Sequence, residues 1–127
     1  MHGRNQYQTA ATDTAGPAQL VLMLYDGALV RLEIAGESIG AGDLDGAHTA
    51  IIKAQAIVDE LNVTLDVDKG GKVAANLRDL YLYCSSRLID ANIAKDAGIV
   101  TEVAGILQGL RDAWNQACVL RPVSVAG

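Results

Sequence analysis

The chain has 127 residues, a formal net charge of −5 and an apolar side chain at half of its positions. This length suits one domain with a core of its own, and the apolar content argues against disorder throughout. The sequence has no cluster of Lys and Arg, and since nucleic acids and anionic membranes select basic surfaces, we expect neither as a partner.

Leu and Ala are abundant, Phe is absent and Pro occurs twice, which favours helices over sheets. No apolar run reaches the roughly 18 residues of a membrane span, and the first residues lack the apolar block of a signal peptide. We therefore expect a cytoplasmic protein in which Cys84 and Cys118 are reduced thiols, with a disulfide as the minor alternative.

The first predicted helix, residues 17–40, is preceded by a polar arm, residues 1–15, whose one aromatic side chain is Tyr7. Pro17 marks the helix start, because Pro is well tolerated at the first helical position, and the glycines at 40 and 42 mark its end. One face of this helix should enter the core: Leu20, Leu24, Tyr25, Ala28, Leu32, Ala35 and Ile39.

The opposite face of the first helix is a narrow polar strip of Asp26, Glu33 and Glu37. Both flanks of this strip are apolar, with Leu22 and Leu29 on one side and Met23, Val30 and Ile34 on the other. A helix that is apolar nearly all round is expected to be covered nearly all round.

The second predicted helix begins after Asp43, which can cap its first turn, and it is conventionally amphipathic. Its core stripe is Ala47, Ile51, Ala54, Val58, Leu61 and Leu65. The glycines and aspartates of residues 66–71 interrupt the helical pattern, so we expect a loop there.

The third predicted helix, from Lys72 to about Asp96, carries two apolar stripes. The stripe expected in the core is Val73, Leu77, Leu80, Tyr81, Cys84, Leu88 and Ala91. Leu82, Ile89 and Ile93 lie on nearly the opposite face.

The fourth predicted helix runs from Ile99 to about Leu120 and has one stripe, which includes Trp114. Short loops between long helices predict an all-α fold, an antiparallel up-and-down four-helix bundle, over residues 16–121. Residues 122–127 are expected to form a tail, because Pro122 disfavours helix at the residue before it. The extra stripes could fill the interior, form an oligomer interface or provide a docking groove.

Sequence motifs that imitate active sites are weak in this chain. Gly36–Gly40 matches G-x-S-x-G around Ser38, but on a helix rather than at a strand-to-helix turn. Residues 66–71 imitate the start of a calcium loop whose twelfth position is Leu77 instead of Glu, and His48 lacks the neighbours of a metal site. We expect no catalytic residues, no metal and no cofactor, and hence no enzyme.

Several segments together carry a family likeness that extends from about Tyr7 to Trp114. They are Tyr7, residues 17–28, residues 77–83, Arg87-Leu88, residues 90–92, Glu102-Val103 and residues 110–114. On these residues the chain resembles the flagellin-specific export chaperones of the FliS family. Gly16 is a departure, since members often have Ser before the Pro.

The resemblance implies an antiparallel helical bundle that binds the disordered C-terminal segment of flagellin, prevents its premature polymerisation and assists its export without ATP. Such recognition places a helix in a groove and couples its folding to binding. The resemblance also implies that the N-terminal arm, with Tyr7, can cover the groove until the client displaces it.

We expect the partner-binding residues to be Tyr7, Leu22, Met23, Leu29, Val30, Ile34, Leu82, Ile89 and Ile93. Burial within the chain is the alternative for each of them, while Tyr25 and Trp114 are expected in the core. The same surface could instead close a homodimer or bind another export or regulatory protein.

Overall fold

The computed structural model describes residues 16–120, with side chains as far as Ala117, and this part of the chain contains four helices and no strand. They are α1 (Pro17–Gly40), α2 (Leu44–Val63), α3 (Val67–Ala94) and α4 (Ala97–Leu120). The predicted all-α class is therefore confirmed. The predicted arm and tail lie outside the described residues.

The α1–α2 connection forms as its residues predict. Gly42 takes a positive φ of 76° after α1, a conformation that glycine adopts at little cost. The carboxylate of Asp43 then accepts a hydrogen bond from the Gly46 backbone N–H at 2.9 Å. This bond satisfies one of the free donors at the start of α2.

The predicted loop at residues 66–71 is wrong for residues 67–70, which form a capped helical turn at the start of α3. The Asp66 carboxylate accepts from the Lys69 N–H at 3.1 Å and so caps a helical turn. The break falls at Gly71 alone, where φ is 58° and ψ is −134°. Helical geometry resumes after this kink.

Both ends of the α3–α4 connection also differ from the predicted positions by about two residues. Lys95 adopts the left-handed conformation that ends α3, with φ of 50°. The Asp96 carboxylate then accepts from the N–H groups of Gly98 and Ile99, at 2.8 and 3.3 Å. This cap starts α4 at Ala97, two residues before the predicted start.

The four helices form a ring in chain order. α1 packs against α2 and α4, and α3 packs against the same two helices from the opposite corner. One apolar core fills the centre: Val21, Tyr25, Ala28, Leu32, Ala35, Ala50, Ile51, Ala54, Val58, Leu61, Tyr81, Cys84, Leu88, Ala91, Val100, Val103 and Leu107. The short connections make neighbouring helices antiparallel, as predicted.

A tyrosine pair links the two opposite helices, α1 and α3, through this core. The hydroxyls of Tyr25 and Tyr81 are 2.5 Å apart and both residues are buried. Burial raises the pKa of each phenol, because the charged form would lose its water. Burial also raises the pKa of Cys84 to about 11, so this thiol stays protonated at neutral pH.

Trp114 packs against the core but is only half-buried. Its indole N–H donates to the carbonyl oxygen of Ala18 at 2.9 Å. The ring therefore fixes the first turn of α1 to the last turns of α4. The core prediction is confirmed fully for Tyr25 and in part for Trp114.

Candidate partner-binding site

The three predicted residues of α3 are solvent-exposed, with Leu82 at 52%, Ile89 at 48% and Ile93 at 80% of their maximal accessibility. Ser85 lies within the same stripe, and its hydroxyl donates to the Asp59 carboxylate of α2 at 3.1 Å. The stripe therefore follows the edge of α3 that borders α2.

An open groove runs between this stripe and α2. Part of it is a cavity of about 420 Å³ lined by His48, Ile52, Gln55, Ile89, Asn92, Ile93 and Lys95. We use the name α2/α3 groove for this cavity and its continuation along the two helices past Asp59 to Val63 and Leu82. Its three isoleucines give it an apolar wall on each side.

Ile52 and Val63 are exposed residues of α2 that the sequence analysis missed. With Ala56 they form a second stripe, at spacings of four and seven residues, beside the buried one. That spacing is visible in the sequence, but the buried stripe has more members and alone predicts the apolar face of α2.

The exposed residues of α1 border the other side of α2. Met23, Val30 and Ile34 are exposed and share a helix face with Gly27. Gly27 lies against α2, since a Cβ built on it would be 3.5 Å from Cδ1 of Ile57. A second cavity of about 420 Å³ there is lined by Leu20, Met23, Leu24, Glu60 and Thr64, and we call this surface the α1/α2 groove.

Leu22 and Leu29 do not belong to either groove. Leu22 is buried at 7% accessibility, and Leu29 is half-buried against the core. Both lie on the side of Asp26 away from Gly27, and the Asp26 carboxylate accepts from Arg111 Nε of α4 at 2.9 Å. They therefore turn toward α4, which covers them, and we remove them from the candidate surface.

Polar contacts close the interface between α3 and α4. Glu102 accepts from the Tyr83 hydroxyl at 2.6 Å and from Arg87 Nε at 2.9 Å. These two hydrogen bonds hold the pKa of Glu102 below its ordinary value, and the bond to Glu102 raises the pKa values of Tyr83 and Arg87. The ion pair of Arg111 with Asp26 likewise links α4 to α1, and the hydrogen bond to Asp26 raises the pKa of Arg111.

The two sides of the bundle thus differ in chemistry. Around α4, ion pairs bridge neighbouring helices, whereas around α2 exposed aliphatic side chains line two grooves beside the hydrogen bonds of Ser85 to Asp59 and of Asn92 to His48. Three of the nine predicted residues, Met23, Ile89 and Ile93, line the two cavities. Leu82, Val30 and Ile34 are exposed further along the same helix faces. Tyr7 lies outside the described residues.

The motifs with possible chemistry occupy ordinary positions. Ser38 lies within the last turns of α1 rather than on a strand-to-helix bend. Residues 16–117 contain no group of three His, Cys, Asp or Glu side chains that could hold a metal ion, and none of their helices is long and apolar enough to cross a bilayer.

Comparison with known proteins gives matches over nearly the whole chain. A family model described as "Flagellar protein FliS" matches residues 1–121. "Flagellar secretion chaperone FliS" of Bacillus subtilis (strain 168) is 40% identical over 111 residues, which cover 87% of this chain and 82% of the relative. The Salmonella typhimurium protein of the same name is 41% identical over 108 residues, covering 84% and 80%. "Flagellar secretion chaperone FliSB" of Pseudomonas aeruginosa is 31% identical over 119 residues, covering 91% and 94%.

Proposed function

This chain belongs to the FliS family of flagellar secretion chaperones, and we propose that its client is the disordered C-terminal segment of flagellin. In this proposal the chain binds that segment in the cytoplasm, prevents its premature polymerisation and assists its export. The chain acts as a binding protein and not as an enzyme, which agrees with the chaperone names of its relatives.

The observation that carries the proposal is the exposure of aliphatic side chains on both sides of α2. Contiguous apolar surface on a soluble protein marks a place where another molecule binds. Each groove runs between two neighbouring helices of the bundle, and a groove of this kind can bind the apolar face of an amphipathic helix. A client segment that becomes helical on binding would fit this shape.

The energetics favour a client that occupies both grooves. Leu82, Ile89, Ile93 and Ile52 are each about half exposed or more, so their full burial is worth on the order of 3–6 kcal/mol. Ordering a disordered segment costs about 2–5 kcal/mol or more, and association costs a further amount of at least about 4 kcal/mol. One groove alone would give weak binding, whereas burial of Met23, Val30 and Ile34 as well adds about 2–4 kcal/mol and brings the gain level with these costs before the client's own apolar side chains are counted.

Isothermal titration calorimetry with a synthetic peptide of the flagellin C-terminal segment tests this function. We expect saturable binding with a strongly negative heat-capacity change, because apolar surface is buried and the peptide folds. Leu82→Glu and Ile89→Glu should each weaken binding at least about 3- to 10-fold, since each removes roughly 0.8–1.5 kcal/mol of apolar burial and places a charge in an apolar surface.

Val73→Glu is the matched control for these substitutions. Val73 is 70% exposed, so its predicted place in the core is wrong, and it lies on α3 about half a turn away from the stripe of Leu82. Binding should be unchanged in this variant, and circular dichroism should show native helicity in all three. Unchanged affinity in Leu82→Glu and Ile89→Glu would remove the α2/α3 groove from the site.

A second copy of this chain is the competing occupant of the same surface. Light scattering distinguishes the two: a monomer that binds the peptide supports the client proposal. A stable dimer whose association is abolished by Leu82→Glu, and which ignores the peptide, would replace it.

A further inference from the structure

The exposed apolar stripe of α1 is symmetric about Gly27. Leu20 lies seven residues before this glycine and Ile34 seven after it, while Met23 and Val30 lie four before and three after. These offsets keep the stripe on one face of the helix, and its four side chains are between 37% and 53% exposed. A rotation of 180° about an axis through Gly27 reverses the chain direction and places apolar positions of the stripe on apolar positions.

The adjoining edge of α2 carries opposite charges at matching positions. Ile57 lies opposite Gly27. Glu60 comes three residues after Ile57 and lines the same cavity as Met23. Lys53 comes four residues before Ile57, and because α1 and α2 are antiparallel it lies toward the other end of the stripe. A two-fold axis through Gly27 and Ile57 therefore exchanges the positions of an acid and a base.

A two-fold dimer forms from one surface that is complementary to itself. We propose that the stripe of α1, together with Lys53 and Glu60 of α2, pairs two client-free copies of this chain about this axis. In the pair, each apolar side chain of the stripe lies over an apolar side chain of the other copy, as Leu20 does over Ile34. Lys53 lies over Glu60 at two symmetric places. We call this surface the self-pairing face.

The other charges near the self-pairing face agree with this arrangement. Arg31 shares the half of the face that carries Lys53, so in the pair it lies over the half that carries Glu60. Asp26 is bonded to α4 on the other side of α1. Glu37, beyond the stripe, falls opposite the uncharged first turn of α1 in the other copy. These positions bring no like charges together.

The size of the self-pairing face makes the dimer a weak one. From Leu20 to Ile34 the face is about 21 Å long, and two neighbouring helices are about 20 Å wide. The pair buries roughly 800 Å² in total, whereas stable interfaces bury roughly 1,200 Å² or more. Such a dimer dissociates readily. Because the face borders the α1/α2 groove, a client that enters this groove excludes the second copy, and this part of the inference rests on the proposed function.

Two charge reversals test the pairing by sedimentation velocity of the full chain over a range of concentrations. In Lys53→Glu both symmetric contacts join two acids, and in Glu60→Lys both join two bases. Each variant alone should associate at least about fivefold more weakly than the parent chain. Lys72→Glu makes the same change of net charge on α3, outside the face, and should associate like the parent.

An equimolar mixture of Lys53→Glu and Glu60→Lys gives the sharper result. Each contact between the two variants joins one acid to one base, so the mixture should form dimers that contain one copy of each. Its mean net charge equals that of the parent, so a general charge effect does not produce this result. A mixture that associates no better than the two variants alone would overturn the proposal.

An apolar substitution gives a second measurement. Val30→Glu should weaken association at least about tenfold, because the side chain is buried twice in the symmetric pair. Leu82→Glu, in the α2/α3 groove, is the matched control and should leave association unchanged. A parent chain that stays monomeric at every concentration, or a dimer that is lost in Leu82→Glu and kept in Val30→Glu, would overturn the proposal.

Addition of the flagellin C-terminal peptide separates failure of this inference from failure of the proposed function. We expect the peptide to convert the dimer into complexes of one chain with one peptide. Peptide that binds while the dimer stays intact would overturn the exclusion of the second copy. Absence of any peptide binding would reject the proposed function and leave the pairing to be judged by the charge reversals.

Discussion

Replacement of Tyr25 by Phe removes one of the two hydroxyls that meet at the centre of the bundle. The ring stays in place, so the packing of α1 is kept, but the Tyr81 hydroxyl loses its partner at 2.5 Å in a buried position. A buried polar group without a hydrogen bond costs about 1–3 kcal/mol. Tyr81→Phe should cost a similar amount, since it leaves the Tyr25 hydroxyl in the same situation.

The double variant should be more stable than the sum of the single effects predicts. With both hydroxyls gone, no unpaired polar group remains, and replacing both partners of a hydrogen bond by apolar groups of the same shape is nearly neutral. We therefore expect a coupling free energy of about 1–3 kcal/mol between the two positions. Each single variant should melt about 4–12 °C below the parent chain, at roughly 4 °C per kcal/mol for a domain of this size.

Urea unfolding followed by circular dichroism measures all four members of the cycle. The m-values should agree, because the surface exposed on unfolding is the same. If the two single effects simply add in the double variant, the hydroxyls do not interact as described, and the account of how α1 and α3 are linked across the core would be wrong.

Two further predictions concern stability. The pKa of Glu102 lies below its ordinary 4.5 in the folded chain, so ionised Glu102 should stabilise the fold above pH 4.5 and lose this effect as the pH falls through the lowered pKa. In urea titrations, the stability difference between the parent and Glu102→Gln should therefore shrink below about pH 4.5. A difference that grows at lower pH would contradict this prediction. Gly71→Ala should destabilise the fold by about 1–3 kcal/mol, because φ of 58° with ψ of −134° is strained for a residue with a side chain. Gly105→Ala, on an open face of α4, should instead stabilise the fold by roughly 0.5–1 kcal/mol. If both variants are destabilised in urea titrations, the conformational explanation is wrong.

The helices and their order could be predicted from the sequence because apolar spacing and caps agree locally. The bounds of α1 and the cap at Asp43 are as predicted. The prediction for residues 66–71 is wrong in part because two adjacent glycines have different backbone conformations. Gly70 lies in the turn that Asp66 caps, and Gly71 alone takes the non-helical conformation, a difference that the composition of the segment does not show.

The candidate site could be predicted only in part, because a stripe on one helix does not say which neighbour lies beside it. The polar strip of α1 separates Leu22 and Leu29 from Met23, Val30 and Ile34, and both flanks look equally apolar in the sequence. The pairing of Asp26 with Arg111, 85 positions later, decides that α4 covers the first flank. Such long-range pairings are not readable from local periodicity.

Trp114 is the single tryptophan of the chain, and its position gives the protein an intrinsic fluorescent reporter. Its indole is tied to Ala18 on the α4 side of α1, away from the α2/α3 groove. Its fluorescence emission should therefore change when the first turn of α1 detaches from α4. Occupancy of the α2/α3 groove is better followed by a dye placed near Ile93, since the natural fluorophore is on the far side of the molecule.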